Sequence, residues 1–364
     1  MAKAGLATVH LVPKGPPDRR TSALMLPSVD YLQTAGLIGH PSAIGFPLTQ
    51  IRIIDATHRL IRAPETLFDS AEFGLPAFGW NFANVDLAGT FELARSKLPG
   101  LITIETTLDD LEQTSDGWHL TLANGTMLTT SLVVGADGKK SRVRESAGFR
   151  ARENGFEQAA LVCDLAIQRP IGSASIEFHY ENGPFTLVPA GGNRANLVWI
   201  DQRDTLKAAQ ESGKDALAAL FREKSQRLLG AVELLTPAHM FLLSTLTVDI
   251  AGKDGVVLTG ESAHAFPPIG AQGLNLGLRD VADLAASLAA ADRSAADFAR
   301  AVSDDYARRR AGDLARTGSV VDALFRSLLA EFLPTQALRA GGLWALKLVP
   351  PLRKSAFDLG MGVR

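Results

Sequence analysis

The sequence predicts an α/β protein: a doubly wound, Rossmann-like nucleotide-binding domain that brackets a mainly β insertion and ends in helices. Three observations predict it. A buried strand runs into Gly135-Ala136-Asp137-Gly138 and a short helix; a second runs into Gly260-Glu261-Ser262-Ala263-His264 and a long amphipathic helix. Between these strand–turn–helix units lies a stretch dense in short strands. The 364 residues suffice for two or three domains, and 46% hydrophobic against 21% charged residues excludes a disordered chain.

Taken in order, residues 1–5 read as a last helical turn closed by Gly5, followed by a buried strand Thr8–Val12. The pattern then predicts a helix Ser28–Ala35, a strand Ile51–Arg62 and a helix Asp86–Ser96. A meander follows: strands Ile102–Thr107, Asp109–Gln113, Trp118–Leu122 and Met127–Val134, with turns at Asp116-Gly117 and Asn124-Gly125. Next come a helix Ser141–Ala147, strands Ile176–Tyr180, Phe185–Val188 and Ala195–Trp199, and one helix Lys207–Leu229. Strands Phe241–Val248 and Gly255–Thr259 lead to a helix Gln272–Ala290. From Ser294 the pattern stays helical, broken at Pro334 and Pro350-Pro351. The expected division gives 1–40, 83–152 and 250–300 to the nucleotide-binding domain. It gives 41–82 and 153–249 to the insertion and 301–364 to a helical C-terminal region.

Composition removes several functions. With 37 Lys+Arg against 39 Asp+Glu, the formal charge of −2 gives no footing for nucleic acid. The single cysteine, Cys163, makes no internal disulfide and reads as a buried thiol. The seven histidines lack metal-ligand spacing, so no metal is expected. No apolar run reaches the ~18–20 residues that span a bilayer. The first residues lack the features of a secretory signal, so the expected address is cytoplasmic.

The richest chemistry lies between Gly255 and Asp280. A strand end delivers Glu261, whose carboxylate can accept hydrogen bonds from ribose or ribitol hydroxyls. Gly270 and Gly273 leave bare backbone for close approach of a ligand. The helix that follows offers N–H groups and a positive dipole end to an anion or an electron-rich ring edge. At the earlier motif, Gly-x-Asp-Gly before a basic helix start is a phosphate-adjacent turn. It is not a Walker A loop, because Val133 stands where the first glycine belongs.

The string from Gly260 to Asn275 resembles the second flavin motif of the class A flavoprotein aromatic hydroxylases, which have a para-hydroxybenzoate-hydroxylase-like fold. The family pattern, Gly-Asp-x-Ala-His-x-x-x-Pro-x-x-Gly-x-Gly-x-Asn, falls on Gly260, Glu261, Ala263, His264, Pro268, Gly273 and Asn275. Glu261 replaces the usual Asp, and Ala271, beside Gly270, replaces the first loop glycine. The resemblance implies FAD, with Glu261 on its ribityl chain and Pro268 over the reactive face, shaping the oxygen site. It implies that the backbone around Gly273 to Asn275 holds the pyrimidine edge, with Gly270, Gln272 and Leu274 in the same cofactor loop. It also implies Asp137, Gly138 and Arg142 between the flavin pyrophosphate and incoming NAD(P)H, and Arg20 near the flavin.

Three middle segments, Glu72–Asn84, Phe156–Cys163 and Gly183–Ala190 with Leu197-Val198-Trp199, are similar to the ubiquinone-biosynthesis hydroxylases. This implies an FAD-dependent monooxygenase that hydroxylates the ring of a polyprenylated phenol with NAD(P)H and O₂. It also implies association with other quinone-synthesis proteins. Trp80 and Trp199 themselves read as core residues.

The family's strand–Gly-x-Gly-x-x-Gly–helix fingerprint does not occur in these residues. The flavin domain is therefore expected to be N-terminally incomplete by roughly 25 residues, judged from a ~30-residue βαβ unit. The reading frame is expected to extend upstream of Met1, and the chain as written to be poorly soluble and to hold FAD weakly or not at all. Two other readings compete. Gly260-Glu261-Ser262-Ala263-His264 imitates a hydrolase elbow but lacks its second glycine, and a flavin-free accessory subunit would keep the same fold. Lastly, 331–364 sets Arg339, Lys347, Arg353, Lys354 and Arg364 against Glu331 and Asp358, amid leucines, Trp344 and Phe357. It reads as a segment resting on the anionic inner-membrane surface, where a polyprenyl substrate resides.

Overall fold

The computed structural model describes residues 1–58, 62–268 and 270–329, with Trp344 and Lys354 beyond them. The rest of the expected membrane segment lies outside the described residues. Gly5, left-handed at φ 78°, closes a 3-10 turn over Ala2–Ala4 before β1 (Thr8–Leu11). Then β2 (Thr21–Met25) runs straight into α1 (Leu26–Thr34), with Pro27 in its first turn. Four strands follow, β3 (Gly45–Leu48), β4 (Gln50–Asp55), β5 (Thr66–Asp69) and β6 (Gly79–Ala83), then α2 (Asn84–Arg95) and β7 (Leu101–Ile104). The meander is β8 (Leu108–Thr114), β9 (Gly117–Leu122) and β10 (Met127–Thr130); β11 (Val133–Gly135) then leads to α3 (Arg142–Ser146).

The insertion supplies β12 (Ala151–Ile167), β13 (Ala174–Tyr180), β14 (Gly183–Pro189) and β15 (Arg194–Gln202). Helices α4 (Arg203–Glu211) and α5 (Lys214–Lys224) and strands β16 (Val232–Leu234) and β17 (His239–Val248) complete it. The chain continues through β18 (Gly252–Lys253), β19 (Val256–Leu258), β20 (His264–Ala265), α6 (Gln272–Ala290) and α7 (Phe298–Leu329).

Parallel pairing occurs twice in the nucleotide-binding region and once in the insertion, between β13 and β4. β1 pairs with β7 and β11 with β19, in two separate sheets, the second closed by β18. The insertion is built on a nine-stranded sheet, β20-β17-β12-β15-β14-β13-β4-β5, with β16 also along β12. A further unit, β2-β6-β3, joins strands from both sides of residues 40/41 and includes β6, which itself runs through 82/83, and β20 pairs with β17 across residue 250.

Four expected elements differ, each for a local reason. The single helix 207–229 is two helices, because Gly213 at φ 91° turns the chain where a side chain would be strained. The strand expected to reach Arg62 stops at Asp55, whose carboxylate accepts from the Thr57 N–H (3.1 Å) and the Ala63 N–H (2.8 Å) and takes over the backbone as a turn. The strand 127–134 divides at Ser131-Leu132, since β10 belongs to the meander and β11 to the parallel pair. The helix expected from Ser294 begins at Phe298, because Asp292 accepts from the Ser294 N–H at 2.9 Å and holds a turn there.

One face of the large sheet packs on α4 and α5. Leu161, Leu165, Leu197 and Trp199 meet Leu206, Leu217 and Phe221. Phe178, Phe185, Trp199 and Phe221 form a run of ring contacts with centroids 6.0–6.4 Å apart. Such pairs add about 0.5–1.5 kcal/mol each beyond their burial. Cys163 lies in this core, where burial, helped by Asp164, pushes its thiol up to about 12.

Helix α6 buries Leu276, Leu284 and Leu288 along one stripe, but its first turn is held by a polar clasp. Asn275 Nδ2 donates to the Ala23 carbonyl (2.9 Å) and Oδ1 accepts from the Met25 N–H (2.8 Å). One amide thus stands in for a neighbouring strand on the edge of β2. Nδ2 also reaches the carbonyl of Ala271 (2.6 Å), the residue before the helix, which sits in the left-handed region at φ 53°.

Replacing Asn275 by Ala should lower the unfolding free energy by about 2–4 kcal/mol in urea, since two buried backbone groups lose partners. Asn275→Asp keeps the acceptor for Met25 but faces two carbonyls with a carboxylate, so it should lose at least as much. Wild-type stability in either variant contradicts the clasp. At Ala271 the left-handed backbone costs ~1–2 kcal/mol, and a glycine there gives back roughly 0.4–1 kcal/mol through the freer unfolded chain. Ala271→Gly is therefore expected to raise Tm slightly; a lower Tm would contradict the strain.

Candidate active site

Because β11 and β19 run parallel, their carboxyl ends lie side by side, where open α/β sheets receive ligands. The Gly135 carbonyl ties the two ends together: it accepts from the Thr259 N–H (2.9 Å) and from Ser262 Oγ (2.6 Å). A Cβ at position 135 would stand 2.8 Å from Leu258 and 3.0 Å from Val143, so a larger residue there would push both side chains aside. Arg144 adds a second tie, donating to the Ser262 carbonyl (2.9 Å) and the Lys139 carbonyl (2.7 Å). The Asp-Gly turn and the Gly-Glu-Ser turn therefore form one surface. Ser262, fully buried and spent on this bracing, is no nucleophile, which disposes of the hydrolase reading.

Asp137 works locally. Its carboxylate accepts from Ser141 Oγ (2.5 Å) and the Val143 N–H (3.0 Å) and so starts α3. Gly138 follows at φ 80° with open space around it. Arg142 points to β8, donating to the Asp109 carbonyl (2.8 Å) and to Glu145 (3.2 Å). Glu261 is exposed at the end of the second turn, with Arg20 in electrostatic reach.

Arg20 is fixed by a two-pronged pair with Asp18, both contacts 2.8 Å, and its guanidinium lies 5.7 Å from the Phe241 ring centroid. The hydrogen bonds from Arg20 hold the Asp18 carboxyl down at about 2, against burial and with help from Asn84. In return the Asp18 bond, opposed by burial and aided by Glu261, raises Arg20 above the ordinary guanidinium value. The site thus holds one pinned cation beside one exposed carboxylate.

The loop before α6 exposes Pro268 and Gly270 and the first turn of α6 exposes Gly273 and Leu274, whereas Pro267 and Asn275 are buried. Gly270 has φ 64°, and Gln272 closes the loop by donating to its carbonyl (3.0 Å). A Cβ at Gly273 would meet open space, so this stretch presents bare backbone outward. The residue that starts the helix, Ala271, has no side-chain oxygen to cap it. An exposed carboxylate, bare backbone and a helix start without a side-chain cap fit the polyol and heteroaromatic edge of a flavin.

Reading for motifs passed over the interior behind this surface. Asp280, 1% exposed, accepts from the Gly260 N–H (2.8 Å), sits 2.6 Å from His264 Nε2, and pairs with the fully buried Arg310. The signal was present: Asp280 and Asp283 interrupt the apolar stripe of α6 at helical spacing, and a charged group on such a stripe demands partners.

The FAD binding domain family model matches residues 93–316. The ubiquinone hydroxylase UbiL of Rhodospirillum rubrum is 30% identical over 347 residues, which span 95% of this chain and 80% of its own. The 3-demethoxyubiquinol 3-hydroxylase of Escherichia coli K12 is 27% identical over 350 residues, 95% of this chain and 88% of its own. Among solved structures, p-nitrophenol 4-monooxygenase PnpA of Pseudomonas putida DLL-E4 shares the fold with a TM-score of 0.79, covering 100% of this chain and 94% of its own at 19% identity. Sequence and fold agree: the chain belongs to the FAD binding domain family, as one of its flavin-dependent monooxygenases.

Proposed function

We propose that this enzyme hydroxylates the aromatic ring of a polyprenylated phenol, a ubiquinone precursor, with NAD(P)H and O₂. The observation that carries the proposal is the similarity, over 95% of the chain, to two hydroxylases whose names give that substrate class. Bound FAD, reduced by NAD(P)H, supplies the oxygen activation that an aromatic C–H requires. The chain's own work is to bind, orient and exclude water. In this reading Glu261 accepts from polyol hydroxyls, and the backbone of Gly270, Gln272, Gly273, Leu274 and Asn275 meets the ring edge. Pro268 walls the reacting face. Gly260 and the Asp137-Gly138 turn lie on the phosphate side, and Arg142 would meet the phosphates and the nicotinamide by leaving the Asp109 carbonyl, while Arg20 balances the Glu261 charge. Association with other quinone-synthesis proteins belongs to the same reading.

Titrated with FAD, a version extended upstream through a Gly-x-Gly-x-x-Gly segment is expected to take up one flavin. Glu261→Ala should weaken binding by about tenfold or more, the loss expected when hydrogen bonds to a charged group go, while Glu261→Asp should stay close to wild type. A short-tailed prenyl phenol with NAD(P)H and O₂ should give a product heavier by one oxygen atom. No flavin uptake, or uptake indifferent to Glu261→Ala, overturns the assignment.

The substrate's tail places the reaction at a bilayer. We propose surface contact at the inner membrane through 331–364, whose excess of basic residues and whose leucines suit an anionic lipid surface; among the described residues no helix is long and apolar enough to cross a membrane. Flotation with anionic liposomes should carry the full chain and leave a chain ending at 330 behind. Equal flotation of both excludes this segment.

A further inference from the structure

Arg279, Asp280, Asp283, Arg310, Asp313 and His264 meet in the interior where α6 crosses α7. Arg310 is fully buried and sends Nη1 to Asp283 Oδ2 and Asp313 Oδ2, both at 2.8 Å. Its Nε lies 2.7 Å from Asp280 Oδ1, and Arg279 Nε lies 3.3 Å from Asp313 Oδ2. Burial works against the Arg310 charge, but the surrounding carboxylates outweigh it and hold its pKa above the ordinary value.

The other Asp280 oxygen faces the cofactor turn. Oδ2 accepts from the Gly260 N–H (2.8 Å) and lies 2.6 Å from His264 Nε2. Gly260 and His264 flank Glu261, so both ends of the turn that carries Glu261 hang on one oxygen. Gly260, left-handed at φ 59°, passes so near α6 that a Cβ at Gly277 would lie 3.6 Å from its Cα. The turn has no other such anchor to α6 among the hydrogen bonds described.

We propose that Asp280 is a positioning residue for the flavin: held by Arg310 on one side, it fixes Gly260 and His264 on the other and so sets the direction in which Glu261 leaves the strand. The cofactor half of this inference rests on the role proposed for Glu261; the structural half does not. Asparagine cannot replace Asp280. With its oxygen toward Gly260 and His264, it sets an uncharged NH₂ in place of the carboxylate oxygen 2.7 Å from Arg310 Nε and the ion pair is lost; reversed, its NH₂ faces the Gly260 N–H. Either way one of the two holds on residue 280, the charge of Arg310 or the Gly260 N–H, is given up.

Asp280→Asn is compared with Asp313→Asn in the full chain. The second variant disturbs the same buried cluster without touching the turn, and so controls for lost stability. Without FAD, hydrogen exchange in the peptide covering 259–266 should quicken at least about tenfold in Asp280→Asn, the equivalent of one lost charged hydrogen bond, and stay near wild type in Asp313→Asn. FAD affinity should fall about as much in the first variant only, with a changed visible circular dichroism of the bound flavin. Asp280→Glu keeps the buried charge but displaces the oxygen by a methylene, and should move both readouts in the same direction if Asp280→Asn does not fold. Wild-type exchange in the 280 variants, or equal change in Asp313→Asn, overturns the proposal. If the wild-type chain, extended upstream in the same way, takes up no FAD, the cofactor reading falls while exchange still decides whether Asp280 holds the turn.

Discussion

A guanidinium removed from water costs several kcal/mol, and Arg310 persists in the interior only because carboxylates from two helices surround it. That requirement is directional. The apolar contacts of Leu284, Leu288 and Val302 would tolerate some sliding of α6 along α7; ion pairs at 2.7–2.8 Å do not. With the helices fixed on each other, α7 braces the parallel pair beneath: Tyr306 donates to the Leu258 carbonyl (2.7 Å), and Ser303 accepts from the Gly255 N–H (3.0 Å). The strand that leads into the turn carrying Glu261 is thereby held from behind at both ends.

From the front, the same helix is held by an uncharged device. Asn275 moors the first turn of α6 to β2, whose entry loop carries Arg20, and Asp18 links that loop to Asn84 at the start of α2 (2.9 Å). The stretch 270–274, a left-handed pair of residues and the first turn of α6, is therefore suspended between elements that cannot move independently. Rigid elements that position an exposed loop are a common way to bring binding groups into place.

The sequence is most informative where chemistry and backbone coincide. Helix Gln272–Ala290 is found at the residues its periodicity predicts, and the two strand–turn–helix units are found where glycine and acid follow a buried strand. Local pattern is weaker where tertiary partners decide. Nothing near Ser131 says that β10 and β11 join different sheets, and helical periodicity runs through Gly213 because the faces of α4 and α5 both meet one sheet. The residues that present the site are legible as a motif. Those that hold it, Arg144, Asp280 and Arg310, lie far apart in sequence and draw meaning only from one another.

The chain also lends itself to spectroscopy. Its one cysteine is buried, and a thiol pushed up to about 12 offers almost no thiolate to maleimide or methanethiosulfonate reagents near neutrality. The native sequence is thus a silent background for labels attached at chosen positions. Met127 in the meander and Leu242 on the insertion are 70% and 65% exposed. Cysteines introduced at both would carry a spin or dye pair across the molecule, a ruler for whether the two regions shift when a ligand binds.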